Sequence, residues 1–377
     1  MNWEYIRADQ YCDSVRDGTH DTPKPTESGY KLVTGKHIKT GQIDSSDAYY
    51  ISEKDFYAIN ERSLVEQWDV LMSMIGTVDK AAVVKEQPNY AIKNIALFKC
   101  GGSELKGRWL SYYLHSPTGQ GHMSGNQKGS SQQFLSLKQL RSLPVPVTDE
   151  AYMRKVVQIL SVYDDLIENN QKQIKLLEEA AHRLYKEWFV ELRFPGRDTT
   201  PIVDGVPEGW KRERLVDIAR VQYGYAFDGS LFNSAGNGMP IVRIRNIPSG
   251  NTGDFTTESV DAQYVIHNGD IVVGMDDAYL VQRTCSFRPE NPNMKGYLLQ
   301  AIYGPIKYFE NTVVGATVAH LGKKHIDAVT LLAGPDELYV PFQQYFEQRQ
   351  MLLNQNRLLA EARDRLLPKL MSGEIEV

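Results

Sequence analysis

Two helical stretches of this chain are one stretch written twice. KLLEEAAHRLYKEWF runs from Lys175 to Phe189 and RLLAEARDRLLPKLM from Arg357 to Met371. A constant shift of 182 residues lays Leu176, Leu177, Glu179, Ala180, Arg183 and Leu184 on Leu358, Leu359, Glu361, Ala362, Arg365 and Leu366. A repeat at about half the chain length constrains the fold more than any local propensity, because a missed repeat misassigns the whole architecture. Other blocks are doubled as well. YKLVTGKHI (Tyr30 to Ile38) resembles MPIVRIRNI (Met239 to Ile247), and WDVLMSMIG matches GDIVVGMDD with Asp69 on Asp270. GSSQQFLSLKQL (Gly129 to Leu140) matches GATVAHLGKKHI (Gly315 to Ile326), and Trp3 corresponds to Trp210. The shift ranges from about 182 to 209 between blocks, so the loops carry insertions while the core-forming segments are shared.

At 377 residues the chain exceeds one ordinary core, which fits two like units. The expected division is a globular unit over 1–147, a helix over 148–192, a Pro- and Gly-rich linker over 193–209, a second globular unit over 210–334 and a second helix over 335–377. Unit two is led in by VPEGW and unit one is not, as if a ring of two units had been opened at one place, which brings the termini together. From Val156 the apolar positions step by four and three through Leu160, Tyr163, Ile167, Asn170, Ile174, Leu177, Ala181, Leu184 and Trp188. That is a seam with a period of about 3.5 residues, the mark of coiled-coil packing. The second helix continues it at Leu338, Phe342, Tyr345, Arg349, Leu352, Asn356, Leu359, Arg363, Leu366 and Leu370. Antiparallel packing with residue numbers summing to 526 places Asn170 opposite Asn356, a polar pair able to fix register, and leaves Arg349 and Arg363 to snorkel past Leu177 and Tyr163. Such a rod is roughly 50 Å long. The fold class expected is α+β: two pseudo-symmetric globular domains separated by two long helices that form an antiparallel coiled coil.

Composition narrows the function classes. Hydrophobic residues make up 42% and charged residues 24%, ordinary for a globular protein, and the formal net charge of -5 requires any nucleic-acid face to be a local concentration of Lys and Arg. Cys12, Cys100 and Cys285 are scattered without CxxC spacing, and no apolar run approaches membrane-spanning length, so the cytoplasm is expected and no membrane association or zinc site is. GxxxxGK[ST], HExxH, GxSxG and the Asx-Pro-Pro-aromatic tetrapeptide of amino-methyltransferases are all missing from the sequence. Glu104-Leu105-Lys106 matches half of a nuclease carboxylate motif but fits a solvated turn better, and Asp276 and Asp277 are adjacent carboxylates that point to opposite faces of a strand. The chain alone is expected to be catalytically silent and to hold neither cofactor nor metal.

RKVVQILSVYDDLIENNQKQIKLLEEAAHRLYKEWFVELRFPG, DGVPEGW and RDRLLPKLMSGEI, together with RDGTHDTP (Arg16 to Pro23) and NGDIVVGMDDAY, resemble the specificity subunit of type I restriction-modification systems over essentially the whole chain. The resemblance implies that each globular unit is a target-recognition domain for one half of a split, asymmetric site in double-stranded DNA, with the helices as spacer. It also implies docking of two modification (methyltransferase) subunits on the helices. Those bring S-adenosylmethionine, and restriction (translocase and nuclease) subunits bring ATP and Mg. A recognition subunit whose partner fuses methyltransferase and nuclease, and a protein-interaction scaffold without DNA binding, are the alternatives.

Phosphate contacts need Lys, Arg or backbone amides, and base reading needs bidentate side chains. In unit one the candidates are Lys36, His37 and Lys39 in TGKHIKTGQ, and Asn126, Gln127, Lys128 and Gln132 in a Gly/Ser loop. In unit two they are Arg243, Arg245 and Asn246 in VRIRNI, His320, Lys323, Lys324 and His325 in HLGKKH, and Tyr223 and Tyr225 in VQYGYAF.

Overall fold

The computed structural model describes residues 3–39, 41–74, 80–124, 135–247, 252–267, 269–274, 284–312 and 322–377. It divides into two compact units, Met1–Asn169 with Asn356–Val377, and Asn170–Gln355. Each unit combines a mixed helix-and-strand part with segments of two long helices, a central helix (Glu150–Tyr185) and a C-terminal helix (Val340–Ser372). The central helix is free of Gly and Pro and rich in Leu, Glu, Lys, Gln and Ala, which lose little on entering a helix. Asp149 caps its start by accepting the Tyr152 N–H at 3.2 Å, and a wider π-type turn over Lys186–Val190 ends it before Leu192, whose φ is 55°. Pro341 stands in the first turn of the C-terminal helix, where the missing N–H costs nothing.

In the first unit an antiparallel sheet runs in the order Ser14–Asp17, Ile95–Lys99, Val70–Ser73, Ala81–Val83, and a smaller sheet pairs Tyr30–Thr34 with Tyr90–Lys93 in parallel and with Tyr50–Ile51 antiparallel. The helix Glu104–His115 buries Trp109 and Tyr113 completely, and the Trp109 indole donates to the Pro146 carbonyl at 2.7 Å, so its one polar atom is satisfied. Val156, Leu160, Leu367 and Leu370 of the long helices belong to the same core as Trp109. The two ends of the chain meet here: Trp3 stacks on Trp109 with ring centroids 6.1 Å apart, and the Tyr152 hydroxyl lies 2.9 Å from the Ile375 carbonyl.

The second unit repeats the plan. Ala219–Tyr223, Thr284–Pro289 and Ile271–Gly274 form an antiparallel sheet with the same strand order as the first three of its counterpart. Glu4–Arg7 pairs with Pro144–Val147 in one unit, and Lys211–Arg214 pairs with Thr330–Ala333 in the other. Trp210 packs on Phe189 and Phe194 much as Trp3 packs in its own core, and Tyr297 and Phe342 are fully buried beside Phe189. The aligned acids hold equivalent posts. Asp69 accepts the Glu66 N–H at 2.8 Å and the Lys99 ammonium at 2.7 Å, while Asp270 accepts the His267 N–H at 2.8 Å and the Arg288 guanidinium at 2.7 Å.

The long helices run antiparallel within each unit. In the first, the Tyr152 hydroxyl meets the Leu370 carbonyl at 2.8 Å, Arg363 donates to Asp164 at 2.8 Å and the Asn356 amide lies 3.5 Å from the Ile167 carbonyl. In the second, buried Asn170 donates to Gln355 at 3.1 Å, Arg349 donates to Glu178 at 2.5 Å and Trp188 meets Phe342 edge to face. Partner numbers in these contacts sum to between 522 and 530, around the 526 expected. The arginines depart from expectation. Rather than snorkelling past apolar neighbours, Arg349 and Arg363 reach carboxylates on the facing helix, Glu178 and Asp164. Charge-assisted bonds satisfy a seam guanidinium better than partial exposure does.

Candidate nucleic-acid interface

The block that aligns TGKHI with RIRNI folds into the same object twice. In the first unit strand Tyr30–Thr34 ends in one tight helical turn, Gly35–His37, and in the second a like turn covers Ile244–Asn246. A tight turn leaves its first N–H groups without partners, and a side chain three residues on can accept one of them. His37 does so through Nδ1, which accepts the Thr34 N–H at 2.7 Å, and Asn246 does so through Oδ1, which accepts the Arg243 N–H at 2.8 Å. Gly35 lets the first turn tuck in, since a Cβ there would stand 3.0 Å from Ser73 Oγ.

These caps assign several candidates. His37 is 1% exposed, and its ring is part of the turn rather than part of the surface. Burial holds its pKa below the ordinary imidazole value, with Lys36 adding to the effect and Asp47 opposing it. Asn246 spends its carbonyl on the turn. Lys36 and Arg245, the turn residues just before the caps, are 63% and 53% exposed and point their charges outward. Each meets a carboxylate from the following loop: Lys36 Nζ donates to Asp47 at 2.7 Å, and Arg245 Nη2 lies 2.6 Å from both oxygens of Asp254. Each acid takes a second basic group. His37 Nε2 is 3.2 Å from Asp47, and Arg243, whose guanidinium covers the Phe232 ring, is 3.7 Å from Asp254.

A second pair of turns follows the same rule. Gln139 Oε1 accepts the Ser136 N–H at 2.9 Å, and at the aligned position His325 Nδ1 accepts the Gly322 N–H at 2.9 Å. His325 is therefore a cap as well, packed against Phe309. Lys323 and Lys324 are exposed beside it, and Lys323 lies over the Tyr223 ring at 5.9 Å. The Tyr223 hydroxyl points to Asp327 at 3.4 Å; burial, with Asp327 adding, raises its pKa well above the phenol value. Tyr223 and Tyr225 line a cleft of about 500 Å³ with Met239, Ile241, Tyr264 and Cys285. Tyr225 packs on Phe227 and Tyr264, and the charge of Glu258 raises its pKa. Lys39 is exposed at the end of its strand. Asn126, Gln127, Lys128, Gln132 and His320 lie outside the described residues, as do Asp276 and Asp277. Glu104, Leu105 and Lys106 open the helix Glu104–His115 rather than forming a solvated turn, and Glu104 accepts from Arg108 at 2.8 Å; among the described residues no group of three or more His, Cys, Asp or Glu could hold a metal ion.

No protein-family model matches the chain. It is 25% identical over 301 residues to the type I restriction enzyme MjaIX specificity subunit of Methanocaldococcus jannaschii, a match that takes in 71% of this chain and 69% of that one. It is 27% identical over 142 residues to the EcoBI specificity subunit of Escherichia coli, covering 34% of this chain and 30% of the relative. The crystal structure of the type I restriction-modification S subunit from M. genitalium superposes with a TM-score of 0.56 at 13% identity, over 98% of this chain and 96% of that one. The chain is similar in sequence to type I restriction specificity subunits and shares the fold of one of them. The sequence points to the outward cations but not to Asp47 and Asp254, because base and phosphate contacts call for basic, amide and aromatic side chains rather than carboxylates. The signal was present: an aspartate follows the turn cation by 11 residues in one unit and by 9 in the other.

Proposed function

We propose that the chain is the DNA-recognition subunit of a type I restriction-modification assembly, each globular part reading one half of a split site, with the long helices as spacer. The observation that carries this is the capped turn built twice, each copy presenting one outward cation, Lys36 or Arg245, just before the capping residue. A capped turn fixes the direction of the residue before the cap, which is what register on a duplex demands. Lys39, Lys323, Lys324 and Arg243 widen the two basic surfaces, and the different residues around them suit two different half-sites. The Asn126 to Gln132 loop and His320 belong to the same proposal by position in sequence alone.

The chain carries out no chemistry itself. Two modification subunits dock on the exposed apolar positions of the helices, Val162, Leu166 and Leu176 on the central helix and Met351, Leu353 and Leu358 on the C-terminal one. S-adenosylmethionine is held by those partners, and ATP and Mg by restriction subunits. Co-expression with a type I modification (methyltransferase) subunit, followed by mapping of methylated adenines in the host DNA, tests the whole scheme. A single split, asymmetric motif is expected; methylation of a continuous palindrome, or none, overturns it.

A further inference from the structure

The reader cations are not offered bare. Asp47 and Asp254 come from the loop after each turn, and each accepts from the outward cation while a second basic group stands beside it. Exposed ion pairs contribute little to folding, and Asp47 and Lys36 are 64% and 63% exposed, so stability does not account for that pair; Asp254 is 19% exposed and adds some stability, yet its partner Arg245 is 53% exposed and still held by it. A carboxylate beside a cation on a DNA-facing surface has two effects. It neutralises the charge that draws any phosphate, and it repels phosphates itself. We infer that Asp47 and Asp254 are specificity-determining residues, built-in competitors that surrender Lys36 and Arg245 only to a DNA geometry supplying a better-placed acceptor. The inference rests on the DNA-recognition function proposed above.

Such a competitor costs affinity for every sequence and is repaid only at the correct site, which widens the gap between specific and random binding. Arg214 with Asp217 supplies the control. It is a pair in the second unit exposed to 60% and 49%, comparable to Lys36 with Asp47, and it lies at the entrance to a short helix rather than at the turn.

The test measures binding of the full chain to a random-sequence DNA duplex across a salt series. Asp254→Asn and Asp47→Asn should each bind about tenfold tighter at low salt, with the log-log salt slope steeper by about 0.9, the increment of one more phosphate contact. Asp217→Asn, which changes the net charge equally, should match the wild type, and Asp254→Glu should restore wild-type binding. Asn variants that bind no better than a DNA-binding wild type overturn the competitor alone, as does an equal gain from Asp217→Asn. Failure of the wild type and of every variant to bind DNA overturns the recognition function and the competitor with it.

Discussion

Asn246 does for Arg243 what His37 does for Thr34: each accepts the backbone N–H three residues earlier, at 2.8 and 2.7 Å. The neutral imidazole can fill this post and the protonated one cannot, since a charged ring would present an N–H to an N–H. Burial accordingly lowers the His37 pKa below its unfolded value of about 6.5. The stability it contributes is present above that value and is lost as pH falls toward the folded pKa. His37→Asn, which copies the second unit, should leave the urea midpoint near pH 7.5 almost unchanged and flatten its fall between pH 7 and 5. His37→Leu should cost about 1–3 kcal/mol, the penalty of a stranded N–H. An unaltered acid limb in the Asn variant would show that another group sets it.

Asp69 and Asp270 hold aligned posts but titrate in opposite directions. Burial raises the Asp69 pKa despite its Lys99 partner, whereas at Asp270 burial is outweighed by the bonds from Arg288 and the His267 N–H, and the pKa falls. Stability contributed by Asp270 is therefore present above about pH 4 and lost as pH drops through its depressed folded value. Asp270→Asn should cost roughly 2 kcal/mol at pH 7, below the 3–5 typical of a fully buried pair because Arg288 keeps 25% exposure. Denaturation of the variant and wild type at pH 7 and pH 3.5 checks this, the difference shrinking at the lower pH.

Much of the architecture was legible because periodicity and repetition report burial directly. The seam from Val156 to Trp188 gave the antiparallel helices, and the alignment of Asp69 with Asp270 located equivalent strands. Individual site roles were less legible. His37, Asn246 and His325 carry the right chemistry for reading bases, yet each faces a backbone N–H three residues away, a local geometry that composition does not reveal. The same blindness hid Asp47 and Asp254, whose partners are fixed by loop closure rather than by spacing along a regular element.

Two glycines of one helix, Lys295–Thr312, should respond unequally to alanine. A Cβ at Gly296 would stand 2.0 Å from the Phe342 carbonyl oxygen, whereas a Cβ at Gly304 meets nothing within 4 Å beyond its own chain neighbours. Gly296→Ala forces helix away from helix and should cost about 1–3 kcal/mol, as overpacking does. Gly304→Ala replaces a poor helix former, but its Cβ would crowd the ring of Pro305 next to it, so the two effects offset and the shift should stay within about 0.5 kcal/mol. Thermal unfolding of both variants decides it, and equal shifts in one direction would mean that the close approach of the two backbones is absent.

Asp164 ties three helices of the first unit together. It accepts from Arg363 of the C-terminal helix at 2.8 Å and from the Tyr112 hydroxyl at 2.7 Å, and the neighbouring Asp165 and Glu168 take Lys85. Asp164 and Arg363 are each 24% exposed, so the pair is worth more than a surface bridge and less than a dry one. Burial alone would lower the Arg363 pKa, but Asp164 and Asp364 raise it, which keeps a full charge in need of its partner. Asp164→Ala leaves the phenol without its carboxylate and the guanidinium with Asp364 alone, and should cost about 1–3 kcal/mol. Asp164→Asn retains an acceptor for Tyr112 and should recover part of that loss. Urea denaturation at low and high salt separates the terms: the charge-dependent part of the deficit shrinks with salt while the phenol's part does not, and identical losses in the two variants would show that Tyr112 contributes nothing.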